Sequence, residues 1–290
     1  MTTGGRLTRL GLRLASALTL AFLYVPILIV IVYAFNDSKN QSWDRLVGSI
    51  GSKGLGGTFS FRWFDAALAN EQVREAFGLS IQAALGATLV ALLLGSAAAF
   101  AVHRYRFFGR DTISFMVVLP IALPGIVTGM ALNAAMNASL GGFDLGPFHV
   151  TGPQFGIGTI IVGHATFCVV VVYNNVVARL RRLGRSLEEA SMDLGADTWQ
   201  TFRRVTFPSL ATALFAGALL AFALSFDEII VTTFTAGTEQ TLPIWIFANF
   251  RLPNARPIVN VVALAMILLS VFPVYLSARL AGAESAGSVR

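Results

Sequence analysis

The stretch SLEEASMDLGADTWQTFRRVTFPSL, residues 186–210, carries four acidic and two basic side chains between long apolar runs. Ser186 followed by Glu189 has the spacing of a capping box, in which a hydroxyl and a carboxylate each take a free amide of the first turn. Leu187, Ala190, Ser191 and Leu194 then recur at helical spacing and form one small, apolar face, with Glu188, Glu189 and Asp193 on the rest. Gly195 stands where a helix-ending residue of positive φ is wanted. Asp197 with Gln200 repeats the capping-box spacing and starts a second helix, with Trp199, Phe202 and Val205 on one side. Arg203 and Arg204 fall in its last turn, where cations suit the helix dipole, and Pro208 suits the start of the next apolar span. The stretch is therefore a folded pair of helices meeting at a corner. Its physics alone leaves two readings open: a stable connector, or a surface for another molecule to hold.

The surroundings of that stretch are lipid-like. Of the 290 residues, 55% are hydrophobic and 12% charged, with a mean hydropathy of +0.70, against about 25% charged in soluble domains. Six segments reach the length of about 20 apolar residues that a bilayer core requires. They lie near residues 14–35, 78–102, 113–136, 157–178, 211–234 and 258–280. The first follows Arg6, Arg9 and Arg13, but its apolar part is too long for a signal peptide and no A-x-A site follows, so it reads as a retained anchor. Loop arginines and lysines number fourteen on one side and seven on the other. The richer side, which holds both termini and residues 186–210, is expected to be cytoplasmic. The net charge of +6 comes mostly from arginines flanking apolar segments, so it reads as membrane orientation and not as nucleic-acid binding. The single Cys168 excludes a disulfide framework. His103, His149 and His164 lie in different segments and suggest no metal site.

Three membrane features carry possible chemistry. The third span places Pro120, Pro124 and Gly125 within LPIALPGIVTGMAL. This is either an ordinary proline kink or a broken helix whose freed backbone groups line protein or a wet cavity. Gly125 and Gly129 have the G-x-x-x-G spacing of close helix packing. The fifth span carries Asp227 and Glu228; acidic residues at membrane depth are candidates for a substrate path, and equally for capping or orienting neighbouring helices. His164, Asn174 and Asn175 suit interhelical hydrogen bonds. The first external loop, residues 36–77, is glycine-rich near residues 51–57 and is expected to hold one short amphipathic helix around residues 63–77.

The charged stretch resembles the EAA loop of bacterial ABC-importer permeases: E-A-A, three residues, Gly, nine residues, then I-x-L-P. Here Glu189-Ala190-Ser191 is followed at the same spacings by Gly195 and by Val205-Thr206-Phe207-Pro208, with Ser191, Val205 and Phe207 as departures close in size or polarity. Residues of about 60–280, through RYRFFGRDTISFMVVLPIALPGIVTGMAL, GHATFCVVVVYNNVVARL and SFDEIIVTTFTAGTEQTLPIWIFANF, are similar to the second permease of spermidine/putrescine importers.

The resemblance implies an all-α membrane protein of one permease domain, 1–290, with six transmembrane helices in the type I ABC importer fold and a cytoplasmic coupling helix in residues 186–208. It implies a bacterial inner membrane and a second, related permease chain as partner. Two ATPase subunits carrying ATP and Mg and an extracellular substrate-binding protein complete the implied assembly, with no cofactor on this chain. Glu188, Glu189, Ala190, Ser191, Leu194, Gly195 and Pro208 are then the candidate ATPase-coupling residues, and Asp227, Glu228, Pro120 and Pro124 the candidate substrate path. Nothing in the chain can hydrolyse ATP by itself: a P-loop needs G-x-x-x-x-G-K-[ST], and the two lysines, Lys39 and Lys53, each follow a serine. A stand-alone carrier or channel with Asp227 and Glu228 as an ion site, or an intramembrane enzyme, would have no use for a docking helix. Within the importer reading, another amine, an aminophosphonate or a sugar competes with polyamines as cargo.

Overall fold

The computed structural model describes residues 3–38, 43–139, 143–145, 148–150, 154–184 and 186–287; Lys39, Arg185 and Arg290 of the charge count lie outside them. The described chain is helical apart from a short antiparallel hairpin, β1 (Phe143–Leu145) with β2 (Phe148–Val150). In order the helices are α1 (Thr3–Phe35), α2 (Trp43–Thr58), α3 (Arg62–Ala69), α4 (Glu71–Arg104), α5 (Arg110–Ala122), α6 (Gly125–Ser139), α7 (Ile157–Leu183), α8 (Ser186–Asp193), α9 (Thr198–Thr201), α10 (Phe207–Phe226), α11 (Ile230–Thr235), α12 (Leu242–Asn249) and α13 (Arg256–Gly287). Five helical stretches among the described residues are long and apolar enough to cross a membrane, six if the α5–α6 pair counts as one span.

The chain divides into two compact units, Met1–Arg74 with Ile246–Ile267, and Glu75–Trp245 with Leu268–Arg290. In the first, the loop after α1 is more ordered than expected. The glycine-rich stretch is helical in α2, where Leu46 is buried. The Trp63 indole donates to the Asn36 carbonyl (2.9 Å), and Arg62 pairs with Asp37 (3.4 Å). The rings of Phe35, Phe61 and Phe64 pack together at 5.0–5.5 Å. The expected helix around 63–77 is instead split. It breaks at Asn70, whose side chain accepts from the Val73 amide (3.1 Å) and so starts α4 as an N-cap.

The second unit is organised on α7, whose buried face includes Phe167, Cys168, Val172, Tyr173 and Val176. Against it α4 lays a stripe of small residues at four-residue spacing, Ala87, Ala91, Gly95 and Ala99. Small residues let helix backbones approach closely where lipid removes the usual hydrophobic drive. The third span is broken and not merely kinked: α5 and α6 meet at 109°. Pro120 is accommodated within α5, and the break falls at Pro124, whose carbonyl accepts from the amides of Val127 and Thr128. The Gly125 and Gly129 face packs on Ile230 and Phe234 of α11, and Asn133 donates to the Phe234 carbonyl (2.6 Å).

The fifth span ends earlier than expected, at Phe226; Asp227 to Ile229 form a turn before α11. At its other end it is longer, because α9 runs into α10 through a π-helical turn, Phe202–Thr206. Pro208 offers no amide, and its ring crowds the carbonyl four residues back. The wider turn, with the Phe207 amide reaching the Phe202 carbonyl, accommodates both.

Candidate functional site

The α8–α9 corner forms much as its residue types demand. After α8 the Gly195 amide donates to the Met192 carbonyl (2.9 Å) and the Ala196 amide to the Ser191 carbonyl (3.1 Å), with Gly195 at φ +87°. This is the paired Schellman pattern, which a residue with a Cβ enters only under strain. Asp197 accepts from the Gln200 amide (2.7 Å) and its own amide reaches the Gln200 side chain (3.4 Å), closing the capping box. The Ser191 and Thr201 hydroxyls (3.2 Å) join α8 to α9.

The orientation of α8 differs from the sequence expectation. Glu188, assigned to its polar side, is the buried residue, 9% exposed, while Leu194 is 90% and Trp199 67% exposed; Leu187 and Met192 are exposed too. Glu188 Oε1 takes an ion-paired hydrogen bond from Arg104, the last residue of α4, and another from the Thr206 hydroxyl (2.7 Å). A buried carboxylate is tolerated only when paired and hydrogen-bonded, and here two elements distant in sequence supply the partners. Glu189 and Ala190 are exposed, and Pro208 sits exposed at the start of α10. The corner thus buries one carboxylate, Glu188, and leaves Leu187, Met192, Leu194 and Trp199 exposed beside Glu189, Asp193 and Asp197. Sequence reading missed Arg104 and Thr206 because local periodicity carries no information on partners 84 and 18 residues away.

The other candidates separate. Pro120 and Glu228 line one cleft of about 180 Å³ with Ile121, Leu123, Thr128 and Phe167, opening where both broken helices turn. Glu228 Oε1 accepts from the Val231 amide (2.9 Å), capping α11, so capping and cleft lining fall to one residue. Asp227 is exposed just past α10, and Pro124 belongs to the turn. His164 joins three helices: Nδ1 meets the Ser225 hydroxyl of α10 and Nε2 the Thr232 hydroxyl of α11, both at 2.7 Å. Asn175 departs from the interhelical role expected of it, donating to Val171 of its own helix (2.9 Å), and Asn174 is exposed. Among the described residues no group of three or more His, Cys, Asp or Glu gathers as a metal site.

A chain of the crystal structure of a bacterial ABC transporter involved in the import of the acidic polysaccharide alginate superposes over 97% of this chain and 98% of its own, with TM-score 0.63 at 15% identity, which establishes the fold. The putrescine transport system permease protein PotI of Escherichia coli K12 is 34% identical over 86% of this chain and 82% of its own length. The spermidine/putrescine permease PotC of the same strain is 30% identical over 98% and 97%. The sulfate transport system permease protein CysT of Salmonella typhimurium LT2 is 35% identical over 70% and 76%. The family model of the binding-protein-dependent transport system inner membrane component matches residues 91–282. With that match spanning most of the chain, this protein belongs to the binding-protein-dependent transport system inner membrane components, as a multi-pass permease subunit.

Proposed function

We propose that the chain is one of a pair of permeases in an ATP-driven importer of polyamines. The α8–α9 corner docks on a separate ATPase subunit that binds ATP and Mg, both termini face the cytoplasm, and an extracellular binding protein delivers the cargo. The observation that supports docking is the exposure of Leu187, Leu194 and Trp199 on a doubly capped corner, since contiguous exposed apolar side chains mark interaction sites. Replacing Leu194 and Trp199 together by aspartate is expected to reduce ATPase copurification at least about tenfold, the scale of losing central anchors of an interface. The permease's own melting temperature should stay unchanged. Undiminished copurification would overturn the assignment.

Polyamines are favoured by the likeness to PotI and PotC and by the cleft, in which Glu228 is the ionisable lining residue and Phe167 an aromatic one. A carboxylate and a ring face suit an alkylammonium. The similarity to the sulfate permease CysT keeps an anion as the second reading, and a lone carboxylate in the cleft opposes it. Glu228→Gln separates charge from cap, because the amide oxygen can still accept from Val231. Putrescine uptake in the full complex is expected to fall about tenfold, equivalent to about 1.4 kcal/mol, with the melting temperature retained. Equal uptake by the variant would remove Glu228 from the path.

A further inference from the structure

We infer that Arg104, Glu188 and Thr206 form the joint through which displacement of α8 reaches the membrane spans. The inference rests on the docking role proposed for α8 and concerns what happens after docking. α8 leaves α7 across Gly184 at φ +58°, a backbone state that glycine enters freely. At its other end the corner at Gly195 has open space around it, with no atom within 4 Å of a Cβ built there. The turn at Gly195 and the Ser191–Thr201 hydroxyl pair link α8 to α9, at the start of the fifth span.

Glu188 adds a second attachment, to α4 as well as to the π turn. One of its oxygens holds both the Arg104 guanidinium, at the C-terminal end of α4, and the Thr206 hydroxyl, in the π turn that continues into α10. The Glu188 side chain is 12% exposed and that of Arg104 32%. A carboxylate so enclosed cannot leave its partners without stranding a buried charge, so the group moves as one body. Arg104 also sits where a cation complements the α4 dipole. The surrounding hollow of about 180 Å³, lined by Phe100, Tyr105, Met192, Thr198 and Phe202, leaves the joint room to shift without repacking the α7 core. Displacement of α8 is thus carried by side chains to the cytoplasmic ends of two spans: the fifth, which α8 also precedes through α9, and α4, which it neither precedes nor follows.

Arg104, Glu188 and Thr206 are positioning residues, so the test must read coupling and not stability alone. Full complexes of permease pair, ATPase and binding protein in proteoliposomes would be compared for ATPase copurification, Mg-ATP hydrolysis, and uptake per ATP hydrolysed of putrescine and of sulfate in parallel. Glu188→Gln keeps the shape and the Thr206 hydrogen bond; Arg104→Gln keeps most of the side-chain stem. Both are expected to retain the ATPase and its hydrolysis, with uptake per ATP lowered about tenfold, within the usual range of coupling between sites. The exchange R104E with E188R should recover most of the lost coupling. Unchanged uptake per ATP in both single variants overturns the joint. Loss of ATPase from the complex overturns it as well, since the pair would then only build the docking surface. Failure of the importer reading shows in wild type first, as no ATP-dependent uptake of either solute, and takes the joint with it.

Discussion

Gly95→Ala is expected to destabilise the permease by about 1–3 kcal/mol, the usual cost of overpacking, read as a lower midpoint in detergent melts. A Cβ built at Gly95 lies 2.8 Å from the Val169 carbonyl oxygen, 3.1 Å from Val172 Cβ and 3.2 Å from the Tyr173 amide nitrogen. Two of these are backbone atoms of α7, fixed in its hydrogen-bonded ladder, so no rotamer change clears them. The two helices must separate, and with Ala91 and Ala99 fully buried on the same stripe the whole contact opens. Two glycines of the same helix grade the result. At Gly86 the Cβ would meet the Ile161 Cδ1 at 2.6 Å, the flexible end of a side chain, so Gly86→Ala should cost less. At Gly78 nothing lies within 4 Å, and alanine there should be neutral or stabilising by up to about 1 kcal/mol from helix propensity. Equal melting of all three variants would show that the α4–α7 contact is not set by backbone approach.

That contact illustrates what the sequence made legible and what it did not. Long apolar runs located the spans, because hydropathy needs no knowledge of partners. The corner was legible down to single residues, since Gly195 and the Asp197–Gln200 pair act on their own turn of backbone. Gly125 and Gly129 announced a close approach, though not that α11 would be the partner. The four-residue spacing of Ala87, Ala91, Gly95 and Ala99 was equally open to inspection, but alanines inside an apolar run look like lipid-facing filler. Assigning faces failed at α8. The rule that apolar side chains turn inward presumes water outside and no partner, whereas this helix spends its apolar side chains on its exposed side and buries Glu188. The end of the fifth span at Phe226 was hidden for a related reason. Ile229, Ile230 and Val231 continue the apolar run after the helix has stopped, and the Glu228 cap that starts α11 was read as part of a longer helix.

His164→Leu carries the second large expected effect, a loss of about 2–3 kcal/mol with reduced uptake. The ring is 1% exposed and meets two hydroxyls that are themselves buried, Ser225 at 3% and Thr232 at 0%. The Thr232 hydroxyl also donates to the Glu228 carbonyl (2.8 Å). With its proton committed there, the arrangement that satisfies every group has the imidazole donate from Nε2 and accept the Ser225 proton at Nδ1. Leucine fills a similar volume but leaves the Ser225 hydroxyl facing an apolar wall and takes one of two partners from Thr232, whose donation to Glu228 remains; an orphaned buried hydroxyl costs about 1–3 kcal/mol. Interhelical hydrogen bonds in membranes average only about 0.6 kcal/mol, and a larger figure is expected here because one fully buried ring serves two other helices. His164→Asn, which keeps a donor and an acceptor, should recover part of the loss. The consequence reaches the cleft through α11. That helix is fastened to α7 by His164, by the Thr159 hydroxyl on the Thr235 carbonyl (2.7 Å), and by Val231 and Thr235 seated against Gly163. Releasing the central fastening frees the turn that aims Glu228, so uptake should fall further than the melting shift alone implies. A His164→Leu protein that melts and transports as wild type would mean that α11 is held by packing alone.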